Sequence, residues 1–160
     1  VEITRNIFPL SHKKEDTYLA GFSMGGYGAI RNGLKYHDTF GYIGAISAAL
    51  LIDDLHNWGE GDDLLSSRSF AQSCFGDLNK VIGSDMDPKF LIDDLIANDI
   101  EIPKIFMAVG DNDFLYDENI DYYNYLKSRN VDVEFRCSSG EHTWEFCNDY
   151  IKEFIEWLPL

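Results

Sequence analysis

A chain of 160 residues with 45% apolar and 14% aromatic content is long enough to bury one core, which places it among globular domains. Its net charge of −15 repels phosphate backbones and anionic lipid, so nucleic acid and membrane surfaces are excluded as natural partners. The acids come in pairs (Asp53-Asp54, Asp62-Asp63, Asp93-Asp94) and read as a solvated surface. The cysteines, Cys74, Cys137 and Cys147, are odd in number and form no CxxC spacing. They predict buried or inert thiols in a reducing compartment, cytoplasmic rather than secreted, and no disulfide framework.

In chain order, Thr17–Gly21 is a short apolar run closed by glycine and reads as a buried strand. Met24 to about Tyr36 follows as a helix, with Tyr27, Ile30 and Leu34 at helical spacing. Gly41–Ala48 is a second strand, rich in small and branched residues. Between about 50 and 98 the pattern is broken, polar and mostly helical, an excursion between two strands. "IPKIFMAVG" is a third strand entered through Pro103, where a missing N–H does little harm. "DENIDYYNYLKSRN" opens with acids and closes with Lys127 and Arg129, as a helix does. "VDVEFRC" alternates as a fourth strand. Phe146, Tyr150, Ile151, Phe154, Ile155 and Leu158 then share one face of a final helix. Strands alternating with helices predict an α/β fold, a mainly parallel sheet covered on both faces.

Gly21-Phe22-Ser23-Met24-Gly25 fits G-x-S-x-G between a predicted strand and a predicted helix. A sharp strand-to-helix turn lifts a serine hydroxyl clear of the sheet, and the flanking glycines are expected because a Cβ there would collide with its neighbours. The same turn points a helix N-terminus at the reacting carbon, so the Met24 N–H can donate to a developing oxyanion.

A serine hydroxyl needs a base. Of the four histidines, His12 lies in a polar lead-in, His37 ends the helix after the serine, and His56 lies in the excursion; all three read as structural or solvent-exposed. His142 follows "SSGE" after the last strand, on the side of an open parallel sheet where sites form. The acid is expected just past the third strand, where Asp111, Asp113 and Asp117 compete. Asp113 is the leading candidate; Asp117 reads as a helix cap and Asp111 as a turn residue. A metal reading of Asp-Asn-Asp lacks further spaced ligands.

With these residues in place, the sequence resembles the esterase D-type branch of the α/β-hydrolases, which includes tributyrin, feruloyl and acetyl-xylan esterases and S-formylglutathione hydrolases. The resemblance runs through "GFSMGGYGAIRNGLKYHDTFGYIGAISAAL", "GDNDFLYDEN" and "GEHTWEFCNDYIKEFIEWLP". It implies an α/β-hydrolase fold with Ser23 as nucleophile, Asp113 as acid, His142 as base and the Met24 N–H in the oxyanion hole. Phe22 and the H-T-W-E-F run depart from the S-formylglutathione hydrolase pattern and are more similar to the tributyrin and feruloyl group.

The family's nucleophile follows the fifth strand, yet only 22 residues precede Ser23 here. Residues 1–160 therefore resemble the C-terminal part of one hydrolase domain, without the segment that supplies the second oxyanion donor. The implied activity is hydrolysis of short-chain acyl or aryl esters, free or carbohydrate-linked, with no metal or organic cofactor. An acyltransferase with the same triad, or a non-catalytic binding module, are the alternatives. Strand 17–21, interior in the family, would become an apolar edge here, inviting a second copy or the missing N-terminal segment.

Overall fold

The computed structural model describes residues 1–57, 59 and 67–160. Its centre is a sheet of four strands, β1 (Tyr18–Phe22), β2 (Tyr42–Ile46), β3 (Lys104–Gly110) and β4 (Val133–Ser138), in the order β1-β2-β3-β4. All three pairings are parallel, with Tyr18 opposite Tyr42 opposite Lys104, and Phe22 opposite Ile46 opposite Ala108. All four strands point the same way; β1 and β2 end opposite Ala108, and β3 and β4 run two residues further, to Gly110 and Ser138.

Parallel neighbours need crossovers, and helices supply them: α2 (Met24–Lys35) between β1 and β2, and α5 (Tyr116–Ser128) between β3 and β4. The longer link between β2 and β3 carries a 3₁₀ turn over Ile52–Asn57, α3 (Arg68–Phe75), a second turn over Leu78–Lys80, and α4 (Pro88–Ala97). A short α1 (Glu2–Ile7) precedes the sheet and α6 (Trp144–Trp157) ends the chain. The expected Gly41–Ala48 strand closes at Ile46 because Ser47 adopts φ 44°, which breaks the ladder.

Side chains alternate across the central strands with period two. Ile43 and Ala45 of β2, with Ile105 and Met107 of β3, face α2, α4 and α5 through Ile30, Leu34, Ile92 and Leu126. Ile46, Phe106 and Ala108 face the opposite side, where α6 lays down Phe146, Tyr150, Phe154 and Leu158. Helices therefore cover both faces. The α6 stripe is narrower than its sequence predicts: Ile155 falls off its edge and is 49% exposed.

The thiols are less buried than the buried-or-inert reading allows: Cys74 and Cys137 are exposed and Cys147 is half-buried, and all three are free cysteines. The His56 side chain and the Asp62-Asp63 pair lie outside the described residues. Among the described residues, no helix is long and apolar enough to cross a membrane.

Candidate active site

Ser23 stands between β1 and α2, at the C-terminal end of the sheet. Its backbone adopts φ 57°, ψ −121°, a region that costs an L-residue energy and persists only when its surroundings hold it. Four hydrogen bonds do so: the Ser23 N–H donates to the Ile46 carbonyl (3.0 Å), and the Ser23 carbonyl accepts from Gly26 (2.9 Å), Tyr27 (3.1 Å) and Ala49 (3.0 Å). A serine at a helix N-cap ordinarily turns its hydroxyl back onto the helix. This one makes no cap bond; its Oγ lies 3.0 Å from Nε2 of His142.

His142 rides on the loop between β4 and α6, just before Thr143, whose hydroxyl caps α6 by accepting from the Phe146 N–H. Its ring stacks on Phe22 at 4.6 Å and meets Phe114 at 4.5 Å, which fixes the ring plane. Nδ1 lies 3.0 Å from both carboxylate oxygens of Asp113. The Asp113 side chain is fully buried, and one of those oxygens also accepts the Leu115 N–H at 2.9 Å. Three residues from three strand ends thus form one hydrogen-bonded chain.

The other acids have other work. Asp111 is exposed and accepts the Gly140 N–H at 3.1 Å, tying the loop after β3 to the loop that carries His142. Asp117 was expected as a cap, but α5 begins at Tyr116 with Leu115 at the cap position. Asp117 therefore sits inside the first turn, where it complements the helix dipole. His12 is exposed on the lead-in, and His37 lies in the turn after α2, at the far end of the sheet from Ser23.

The motif glycines differ in kind. A Cβ on Gly21 would sit 2.1 Å from the Gly25 carbonyl oxygen, and one on Gly26 would sit 2.9 Å from the Ala48 Cα. A Cβ on Gly25 would meet nothing within 4 Å, so the expected collision there is corrected to Gly26. The close approach of Gly26 to Ala48 is what seats α2 beside the end of β2.

Asn119 escaped the sequence reading. It is fully buried, and its amide donates to the carbonyls of Ala48 (2.9 Å) and Leu115 (2.7 Å) while accepting the Ala48 N–H (3.2 Å). It clips the segment after β2 onto α5, beside Ala49, which holds the Ser23 carbonyl. The signal was available: Leu115, Asn119, Tyr122 and Leu126 fall on one helical face, and a polar residue within an apolar stripe marks a buried hydrogen-bonding site.

Ser23 opens onto a cavity of about 470 Å³ walled by Met24, Leu51, Leu55, Phe70, Phe75 and Phe114. Tyr27 also lines it, with its hydroxyl donating to the Met86 carbonyl at 2.7 Å. Burial pushes that phenol up to about 12, so it stays neutral. Among the described residues, no group of three His, Cys, Asp or Glu side chains could hold a metal ion.

The Esterase family model matches residues 4–158. The chain belongs to the esterase family. It is 43% identical over 159 residues to an acetyl esterase of Caldicellulosiruptor saccharolyticus, covering 99% of this chain and 60% of that protein. Two Staphylococcus aureus structures, an S-formylglutathione hydrolase and fluorophosphonate-binding serine hydrolase F, are each 35% identical, with TM-scores of 0.82 and 0.84. Each covers 98% of this chain, which in turn covers 59% of each of them. A ferulic acid esterase is 25% identical with a TM-score of 0.69, over 98% of this chain and 56% of its own. The fold of this esterase-family chain is thus that of the α/β-hydrolases, and the chain spans about three-fifths of the length of these relatives.

Proposed function

We propose that the protein hydrolyses carboxylic esters through Ser23, His142 and Asp113. The observation that carries this reading is the unbroken run of 3.0 Å contacts from Ser23 Oγ through the His142 ring to the buried Asp113 carboxylate. His142 Nε2 takes the hydroxyl proton as Oγ attacks the ester carbonyl. Asp113 accepts the Nδ1–H, which holds the tautomer that leaves Nε2 free and stabilises the cation that forms. The Met24 N–H, at the start of α2, donates to the oxyanion with the helix dipole behind it. His142 then passes its proton to the departing alkoxide. Water, deprotonated by the same nitrogen, releases the acid and restores Ser23.

The cavity beside Ser23 supports acyl groups larger than acetyl, since it falls within the roughly 300–1,000 Å³ range of small-molecule sites and its walls are mostly apolar. Esters of short or medium acyl chains and aryl acids, free or carried on carbohydrate, fit that description.

The test is Ser23→Ala in the full-length protein. Turnover of p-nitrophenyl acetate is expected to fall at least about 10³-fold with an unchanged melting temperature. A fluorophosphonate should label the wild type at Ser23 and leave the variant unlabelled. Retained turnover, or retained labelling of the variant, overturns the proposal.

A further inference from the structure

Two aromatic rings pack against the His142 imidazole, and they differ in what else they touch. Phe22 stacks on it at 4.6 Å and meets Trp144 at 5.2 Å; it is half-buried and does not line the cavity beside Ser23. Phe114 meets the imidazole at 4.5 Å, tilted by 44°, and does line that cavity. It is 74% exposed, although it stands between the buried Asp113 and Leu115. A lone exposed apolar side chain needs no explanation of its own. This one is packed on the base of the triad and borders the space onto which Ser23 opens, so part of its surface belongs to the space a substrate enters.

Which part of an ester meets it follows from the chemistry of His142. The imidazolium passes its proton to the departing alkoxide, which requires that oxygen to come within about 3 Å of Nε2. The carbons bonded to that oxygen therefore lie beside the imidazole and beside whatever packs on it along the cavity. Of the two rings on His142, Phe114 is the one that meets both conditions. The acyl carbons are held by their bond to Ser23 Oγ and need not approach His142.

We propose that Phe114 is a specificity-determining residue on the alcohol side of the esterase site, favouring esters whose alcohol carries an aromatic ring on a short carbon link. The inference rests on the esterase reading of Ser23 and deepens it. A ring so placed leans on the exposed surface of Phe114 as the alkoxide departs, and apolar area of both rings leaves water. An offset or edge-to-face ring pair adds to that burial. An ethyl group is too small to cover the ring and gains neither. Every acetate passes through the same acetyl-enzyme, so the preference is confined to the steps up to loss of the alcohol, and kcat/KM reports it.

The experiment uses the full-length protein and two pairs of unactivated esters, with p-nitrophenyl acetate as reference. One pair varies the alcohol, 2-phenylethyl against ethyl acetate. The other varies the acyl group, ethyl 3-phenylpropanoate against ethyl propanoate. In the wild type the alcohol ratio of kcat/KM should favour the phenyl ester by about tenfold or more, the combined effect of apolar burial and one ring pair. Phe114→Ala should bring that ratio to within about threefold of one, whatever the variant loses on ethyl acetate itself. Phe114→Leu, which keeps an apolar side chain against the imidazole, should show the same fall. Phe114→Tyr, which keeps the ring, should retain the preference. A merely structural role would lower both members of a pair alike and leave the ratio where it was. In the alanine and leucine variants the acyl ratio should change less than the alcohol ratio. Three results overturn the assignment of Phe114 alone: normal turnover of p-nitrophenyl acetate with no alcohol preference, a preference that survives Phe114→Ala and Phe114→Leu, or a larger fall in the acyl ratio. Absence of turnover of every ester, p-nitrophenyl acetate included, overturns the esterase reading and this one with it.

Discussion

Adding one methyl group at Gly21 and one at Gly25 should have opposite consequences, though the two glycines frame Ser23 symmetrically in the sequence. At Gly21 the new Cβ would lie 2.1 Å from the Gly25 carbonyl oxygen and 2.2 Å from its carbon, where ordinary contact begins at 3.4 Å. Both atoms are backbone, so relief requires moving the end of β1 away from the first turn of α2 by about 1.3 Å, the difference between those distances. The turn is fixed by the bonds of Ser23 to Ile46, Gly26, Tyr27 and Ala49, and such a shift must break or stretch some of them. Overpacking of a few kcal/mol is expected, about 3 kcal/mol at the upper end of its usual range. At about 2–4 °C per kcal/mol for a domain of this size, Gly21→Ala should lower the melting temperature by roughly 6–12 °C. Displacing Ser23 by about 1 Å should also cost about 10²-fold in ester turnover. At Gly25 a Cβ meets nothing within 4 Å, and alanine is the better helix former by up to about 1 kcal/mol. Gly25→Ala should leave the melting temperature unchanged or raise it slightly. Thermal unfolding of both variants decides the matter: equal losses, or a larger loss at Gly25, would refute the argument from the close approach.

Other substitutions probe the parts that hold the site together. Asp113→Asn should reduce turnover of p-nitrophenyl acetate by about 10³-fold or more, against less than about tenfold for Asp111→Asn or Asp117→Asn, because only Asp113 contacts the His142 ring. Asn119→Leu removes three hydrogen bonds and strands the buried N–H of Ala48, whose carbonyl keeps the Leu50 N–H; urea unfolding should show a loss of about 2–4 kcal/mol, and a loss under about 1 kcal/mol would contradict it. The Asp85 carboxylate is held below the usual range, chiefly by the Lys35 hydrogen bond and then by Arg31, which ties the segment before α4 to α2. Its folded value being the lower one, the contribution is present above about pH 4 and is lost as pH falls further; for a half-exposed group it amounts to about 1 kcal/mol or less. The melting-temperature gap between wild type and Asp85→Asn should therefore be constant from pH 5 to 7 and close in stronger acid, and a gap that widens in acid would contradict the sign.

The fold and the triad candidates were legible because each announces itself by position. The strands are the apolar runs, helices separate them, and Ser23, Asp113 and His142 each stand just beyond a run. What was not legible depends on which atoms approach. The motif treats Gly21 and Gly25 alike, but only the backbone shows that Gly25 faces open space while Gly26 touches Ala48. Asn119 looked like one more polar residue in a polar helix until its spacing from Leu115 and Tyr122 was set against burial. The cavity beside Ser23 was least legible of all. Its walls come from α3, the 3₁₀ turn at Ile52–Asn57 and the start of α5, far apart in a segment of weak periodicity, and their meeting is a tertiary event.

Ser23 sits at the tip of the edge strand, and an edge is a poor place to hold strain. β1 is half-buried at best, with Ala20 exposed, while β2 and β3 are buried nearly throughout. α1 buries nothing, and Ile3, Ile7, Phe8 and Leu10 around it face solvent. If the φ 57° turn depended on β1 being clasped from both sides, this edge would let it relax. Every backbone bond that fixes Ser23 instead points inward, to Ile46, to the first turn of α2, and to Ala49 just beyond Asn119. The contact of its Oγ with His142, itself held by Asp113, likewise comes from the β3 and β4 side. The strain is therefore maintained by the buried half of the sheet, and the outer edge of β1 remains available for pairing without the geometry of Ser23 depending on what pairs there.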